Sequence, residues 1–324
     1  MYPSFLSDLF TWVGSFWLGA MAYLFMIFLL GDIILLINKI FNFIPHIGFS
    51  GVPQFRMYFA YAAAVITALI LIFGYINAKT PRLHEMDISI NKKSAKLKSL
   101  KMLVVTDVHL GTLIGSRNAS RLVNSINNQH PDIVVFGGDL IDEDIQSVIR
   151  HNVGEKLLQI RSKYGVYAVS GNHEYIGGIT KSIPYLESHG IRMLHDTAIK
   201  IENSFYLVGR DDRDKVRFTK IARKPLNEII AGADKSMPLI LFDHQPIKLN
   251  DAISNNIDLQ ISGHTHHGQI FPFNYITDAI FDIGYGYRKT GNTQFYVSNG
   301  YGTWGPPIRV GNRPEMIVFQ LKFE

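Results

Sequence analysis

The chain has no cysteine, which excludes disulfide frameworks, thiolate metal sites and a cysteine nucleophile. Compartment stays open, because a chain without thiols suits either redox setting. Charge is scarce as well: Asp, Glu, Lys and Arg make up 18% of 324 residues, against ~25% in ordinary soluble chains. The shortage is local. Residues 1–79 hold three basic side chains (Lys39, Arg56, Lys79) and two acidic ones (Asp8, Asp32). Residues 80–101 hold six basic (Arg82, Lys92, Lys93, Lys96, Lys98, Lys101) against Glu85 and Asp87, and the remainder balances at 23 of each sign. The net charge of +5 therefore sits mostly in one short segment. A nucleic-acid enzyme carries its basic excess across the folded part, so no nucleic acid is expected. Neither Gly-X-Gly-X-X-Gly nor a Walker loop stands in a βα setting, which leaves nucleotide cofactors without support. Repeats and low-complexity tracts are missing too, and no protein partner is inferred.

What the first quarter does have is long apolar runs. Leu9–Leu30 gives 22 residues without a formal charge and Met57–Ile76 gives 20, flanked by Arg56 and Lys79. At ~1.5 Å per helical residue, each matches a bilayer core of about 30 Å. Residues 1–79 are thus expected to form a membrane anchor of two transmembrane helices, about 9–30 and 57–76, with the lipid bilayer as partner. A buried hairpin of a soluble fold is the alternative, and a cleavable signal is disfavoured by the missing basic n-region. Between the runs, Asn38, Pro45, Gly48, Gly51 and Pro53 suit the end of a long first helix and an interfacial loop. Residues 80–100 read as a basic juxtamembrane linker that touches anionic headgroups or stays solvated. The positive-inside tendency then puts the large C-terminal part in the cytoplasm, on a multi-pass inner-membrane protein.

Residues 101–324 alternate β-branched runs with polar, helix-like stretches, the pattern of an α/β layered domain. Polar residues cluster where strands are expected to end. Met102–Thr106 runs into Asp107-Val108-His109, Ile133–Phe136 into Gly137-Gly138-Asp139, and Val166–Val169 into Gly171-Asn172-His173-Glu174. Pro238–Phe242 leads to Asp243-His244, and Leu259–Ile261 to Gly263-His264-Thr265-His266. Carboxyl ends of strands are where α/β sheets build sites. Asp, His and Asn offer oxygen and nitrogen ligands suited to Mn, Fe or Zn. Alternation along a strand lets Asp107 and His109 converge on one ion, and a carboxylate can bridge two cations ~3.5–4 Å apart. Asp139, after two glycines that allow close backbone approach, is the expected bridge. Each motif alone is common in turns and caps; the ordered set of five is not.

In that order the motifs resemble those of the calcineurin-like metallophosphoesterase family, over about residues 100–324. The resemblance implies a four-layer α/β/β/α sandwich of two mixed sheets with a dinuclear site at the strand ends. It puts Asp107, His109, Asp139 and His266 on one ion, and Asp139, Asn172, His244 and His264 on the other. It also implies that His173 faces the scissile phosphate as proton donor or charge stabiliser, with Asp142 orienting it. Gly263 to Gln269, with Pro272 beyond, is similar to a bacterial, often membrane-attached phosphodiesterase branch that acts on phosphodiesters and lipid-linked pyrophosphates. A UDP-diacylglucosamine-type pyrophosphohydrolase is one such activity. Phosphoprotein phosphatases place an Arg after the equivalent of Asp142; here Glu143 follows, which argues against phosphoprotein substrates.

The ligand set predicts its own chemistry: two divalent cations, Mn favoured, bring a bridging water to hydroxide near neutral pH for in-line attack on phosphorus. His173 then protonates the leaving oxygen, which suits diester or pyrophosphate cleavage. Arg210, after the expected strand Ser204–Val208, is a candidate phosphate contact. His46, His84, His130, His151, His189, His195 and His267 are set aside as surface, cap or loop residues, with His267 notable for abutting a ligand. The aromatic and glycine-rich stretch Phe271–Trp304 either walls an acyl substrate or packs on itself. Rival readings are a phosphodiesterase for a soluble substrate such as a cyclic nucleotide, and a non-catalytic metal-binding membrane scaffold.

Overall fold

The computed structural model describes residues 4–47, 49–92, 94 and 96–324. Lys93 and the side chain of His46 lie outside the described part. Two helices open the chain: α1 (Phe5–Phe41) and α2 (Val52–Ala78), joined by a 3-10 turn at Ile44–Ile47. Ser4 caps α1 through a reciprocal bond with Ser7, and Asn42 ends it in the left-handed conformation. Both helices are long and apolar enough to cross a membrane, and most of their surface is not covered by protein. The uncharged runs 9–30 and 57–76 thus sit inside longer helices, because Asp8, Asp32 and Lys39 lie on an uninterrupted helical backbone and do not break it.

Among the described residues, twelve strands form two six-stranded sheets. The first contains β1 (Arg82–Ile90), β2 (Ser99–Val105), β3 (Ile133–Phe136), β4 (Val166–Ala168), β5 (Arg192–Met193) and β12 (Glu315–Phe323), ordered β1-β12-β2-β3-β4-β5. The second contains β6 (Thr197–Ile201), β7 (Phe205–Gly209), β8 (Leu239–Phe242), β9 (Leu259–Ser262), β10 (Gly286–Thr290) and β11 (Thr293–Val297), ordered β10-β11-β9-β8-β7-β6. Alternation along the strands builds the layers. Met102 and Val104 of β2 face Ile240 and Phe242 of β8 in the core between the sheets. Leu103 and Val105 point the other way, onto Ala119, Leu122 and Ile126 of α3 (Ser116–Asn128). Leu239 and Leu241 do the same on the far face of the second sheet. The result is the expected four-layer α/β/β/α sandwich.

The linker expected over residues 80–100 is corrected. Nine of its residues are β1, paired in parallel with β12 from Arg82↔Glu315 to Ile90↔Phe323. Its basic count concealed a period-two pattern that buries Ile88 and Ile90. The sandwich therefore begins at Arg82. A strand of that length carries Lys92 roughly 30 Å from Arg82, where its ammonium pairs with Asp258 at 2.8 Å. Headgroup contact by the whole basic cluster does not follow.

The helical hairpin packs directly on the sandwich. The Arg309 backbone N–H donates to the Gly74 carbonyl at 3.0 Å, and the Asn77 amide donates to the carbonyls of Arg309 and Asn312 at 2.9 and 2.7 Å. Tyr23 donates to the Phe271 carbonyl at 3.1 Å, while Ile270 and Ile308 cluster with Tyr23, Met26 and Leu71. At the start of α1, Asp8 pairs with Arg150 and accepts from Thr112 at 3.4 Å. The hairpin is thereby fixed beside the carboxyl ends of β2 and β3.

Candidate metal centre

Strand ends deliver the side chains. Asp107 and His109 follow β2, Asp139 follows β3, Asn172 and His173 open the short helix Asn172–Ile176 after β4, His244 follows β8, and His264 and His266 follow β9. Asp107, His109, Asp139, His264 and His266 all have φ between 46° and 71°. Left-handed backbone is uncommon outside glycine, though Asp and His tolerate it better than most, and here five such residues converge on one site.

Two groups of ligand atoms lie within reach of one point each: Asp107, His109 and His266, and Asp139, His244 and His264. A third, His109, Asp139 and His173, overlaps both, so Asp139 stands between them. The imidazole Nε2 atoms of His109 and His266 are 3.0 Å apart, and Nε2 of His266 is 3.5 Å from Oδ1 of Asp107. On the other side, Nδ1 of His264 is 2.8 Å from Oδ1 of Asn172. Nδ1 of His244 lies 2.8 Å from the Gly137 carbonyl, to which its N–H donates. That fixes the tautomer and leaves Nε2 as a ligand. This Nε2 is 3.0 Å from Oδ2 of Asp139 yet makes no hydrogen bond, and Oδ2 of Asp107 is likewise buried without a partner. Buried polar atoms that converge without bonding one another are the mark of a cation site. All the residues assigned to the two ions fit divalent metals.

The electrostatics set which ligands carry protons: against burial, the carboxylates of Asp139, Asp107 and Asp212 raise His244 well above the ordinary histidine value, so its Nε2 proton must leave for a cation to bind there. Burial, reinforced by the charge of His244, drives His264 down to about 3. Burial and Arg309 hold His266 well below the ordinary histidine value. Both are neutral at physiological pH, the form that binds metal. Burial would raise Asp139, but the imidazoles of His244, His109 and His173 outweigh it and keep the carboxylate ionised.

His173 and Asp142 form a separate pair at the rim, with Nδ1 of His173 2.9 Å from Oδ1 of Asp142. Asp142 is also 3.5 Å from Nδ1 of His109. Burial opposes protonation of His173, yet the bond to Asp142 and the charges of Asp139 and Asp142 push its pKa up to about 9. A protonated imidazole beside a metal pair can stabilise charge or donate a proton.

Arg210 is not part of this centre. Its guanidinium is buried and bonded to Asp243 and Asp251 at 3.2 and 3.1 Å, because a buried cation must be neutralised by carboxylates. His267 stacks on Tyr285 and lies 3.4 Å from Asp278. Of the histidines set aside, His84 meets Tyr296 and Glu315, and His195 meets Asp211.

Two residues that support the centre have no role in the sequence reading. Glu174 is buried and accepts backbone N–H bonds from Asp139, Ile141 and Gly171 at 3.1, 2.9 and 2.7 Å, tying the bridge to the Asn172 loop. Its position two residues after Asn172 was the available signal. Arg309, fully buried, donates to the carbonyls of Gly302 and His266 and places Nη2 2.9 Å from Nδ1 of His266. Lying 43 residues from His266, it left no local trace.

Two cavities meet at His173 and Trp304. One, about 510 Å³, lies over the metal ligands and is walled by Ile176, Phe273, Ile276, Phe281 and Trp304. The other, about 740 Å³, lies between the first turns of α1 and the loop Asp142–Asp144.

The profile of a family described as calcineurin-like phosphoesterase matches residues 100–268. A zebrafish (Danio rerio) transmembrane protein with metallophosphoesterase domain is 31% identical over 276 residues, 80% of this chain and 62% of the relative. An uncharacterized metallophosphoesterase of Helicobacter pylori strain J99 is 34% identical over 252 residues, 76% of this chain and 65% of the relative. One from Aquifex aeolicus is 30% identical over 233 residues, 71% of this chain and 88% of the relative. The chain thus spans under two thirds of the first two relatives.

Proposed function

Because the chain belongs to the calcineurin-like phosphoesterase family, we propose that it is a membrane-anchored hydrolase of phosphodiester or pyrophosphate bonds, acting on a lipid-linked substrate at the cytoplasmic face of the inner membrane. The observation that carries the reading is Asp139 standing between two ligand groups with the His173–Asp142 pair at their rim. When bound, two divalent cations, Mn favoured, supply Lewis acidity and an activated water. Asp107, His109 and His266 would hold one and Asn172, His244 and His264 the other, with Asp139 available to both.

The preference for diesters rests on charge. Among the described residues, no Lys or Arg lines the cleft over the ligands, and Glu143 does. A monoester dianion would meet that carboxylate with only the cations and the His173 imidazolium to compensate; a diester brings one charge fewer. The alkoxide of an alkyl diester is also a poor leaving group, and protonation by His173 lowers that barrier. The lipid character rests on the apolar wall from Ile176 to Trp304 and on the hairpin that holds the sandwich at the membrane. A nucleoside-diphosphate-linked acyl sugar of the UDP-diacylglucosamine kind has both parts, a pyrophosphate and acyl chains. Cytoplasmic sidedness rests on the basic excess that follows α2 in sequence.

The test is full-length protein in detergent, stripped and reloaded with Mn, assayed on a chromogenic diester and a monoester beside Asn172→Ala. Diester cleavage above monoester cleavage, lost in the variant, is expected. A monoester preference refutes the diester assignment, and activity that survives Asn172→Ala places the chemistry elsewhere.

A further inference from the structure

The edge of the sandwich nearest the hairpin is apolar and faces outward. In the helix Phe273–Ile280, Tyr275, Ile276 and Ile280 are 66, 55 and 69% exposed, with Phe271 before it and Trp304 beside it about half exposed. Asn274 and Asp278, one turn apart, form its polar side, and Asp278 faces His267. A short helix with this division suits the plane between water and hydrocarbon.

Its depth follows from the hairpin. A bilayer core takes ~20 helical residues. Counted along α1 from Lys39, near the end of the helix away from the sandwich, the layer ends near Gly19; counted from Asp32, it ends near Trp12. Tyr23 lies inside the layer on either count. The Phe271 carbonyl accepts the Tyr23 hydroxyl, and Ile270 and Ile308 pack on Tyr23, Met26 and Leu71. Pro306 and Ile308 close on Gly19. The apolar edge is continuous with this contact, so what covers it is acyl chain.

We propose that the edge formed by Phe271, the helix Phe273–Ile280 and Trp304 is immersed in the adjacent leaflet, so that the metal cleft opens into the bilayer and receives substrate laterally. This deepens the membrane-anchored reading and rests on it. Phe273, Ile276 and Trp304 line the cleft over the metal ligands, so an amphiphile can enter tail-side without leaving the leaflet. The cavity beside Ser7, Asp8 and Thr11 of α1, where the carboxylates Asp8, Asp142, Glu143 and Asp144 outnumber the single arginine, Arg150, then accommodates an uncharged polar part of the head.

The test is fluorescence quenching in nanodiscs made with phosphatidylcholine brominated at carbons 6 and 7. Trp304 is made the single tryptophan through Trp12→Phe and Trp17→Phe. A second protein carries its only tryptophan at the exposed Phe25 of α1, inside the layer on either count, through Phe25→Trp with Trp12→Phe, Trp17→Phe and Trp304→Phe. Trp304 is expected to lose emission to an extent comparable with the tryptophan at position 25. Tyr275→Glu with Ile280→Glu should relieve quenching of Trp304, slow a lipid diester several-fold and leave a short soluble diester unchanged. Quenching at position 25 with none of Trp304 would overturn the immersed edge alone. Absence of quenching at both would overturn the membrane-anchored reading with it.

Discussion

Replacing Asp142 with Asn tests whether His173 works as a proton donor, and the structure fixes the size of the effect. The carboxylate lies 2.9 Å from Nδ1 of His173 and helps push that imidazole up to about 9. A hydrogen bond to a charged group contributes about 1.5–3 kcal/mol, and one pKa unit corresponds to about 1.4 kcal/mol. Asp142→Asn should therefore lower the His173 pKa by about one to two units. The sign is set by the chemistry: a general acid must be protonated, so activity holds below its pKa and falls above it. Bound cations lower the pKa in both proteins, which leaves the difference between them. One pH unit below the wild-type pKa the protonated fraction should drop from about nine-tenths to between about a half and a tenth; three units below it the change should be small. The assay is a kcat/KM profile from pH 5.5 to 10 on two diesters, one with an alkyl and one with a nitrophenyl leaving group. The alkaline limb should move to lower pH for the alkyl substrate and hardly matter for the aryl one, whose leaving group needs no proton. A uniform loss at every pH on both substrates would refute the reasoning and leave Asp142 as a structural residue.

Glu174→Ala strands three buried backbone donors at about 1–3 kcal/mol each, so thermal unfolding should show a loss of several kcal/mol, with Glu174→Gln milder. In Gly171→Ala the new Cβ lands on the Asp139 carboxylate, and elemental analysis should show fewer than two metals per chain before the fold is lost. Arg210→Met should leave KM unchanged and reduce stability, toward the lower end of about 3–5 kcal/mol for breaking a buried pair, because Arg223 still neutralises Asp243. A rise in KM alone would restore Arg210 as a phosphate contact.

How much of this was legible in sequence depended on distance along the chain. The β-branched run Ile133–Phe136 is the strand β3 itself, and each polar motif follows its strand directly, because a strand and the residues leaving it are local features. β1 was missed: its charged residues alternate with the apolar ones, and its partner β12 lies more than 200 residues away. The continuation of α1 past Asp32 was legible as the end of a long first helix, whereas its start at Phe5 was hidden by Asp8, which bounds the uncharged run without affecting helix geometry. Within the site, the types Asp, Asn and His at strand ends could be read directly. Arg210 looked free because neither Asp243 nor Asp251 adjoins it in sequence, and only the packing of β7 beside β8 joins the first of them to it. Glu174 and Arg309 act by holding backbone in place, and such roles carry little signature in residue type.

The central claim is that one centre, with Asp139 shared between two cations, performs the hydrolysis. The most direct measurement is Mn per chain by elemental analysis alongside diester turnover, for the wild type and Asp139→Asn purified and reloaded identically. The account predicts two ions and turnover in the wild type, and loss of both ions together with activity in the variant. Two ions retained in Asp139→Asn, or turnover undiminished without them, would contradict it.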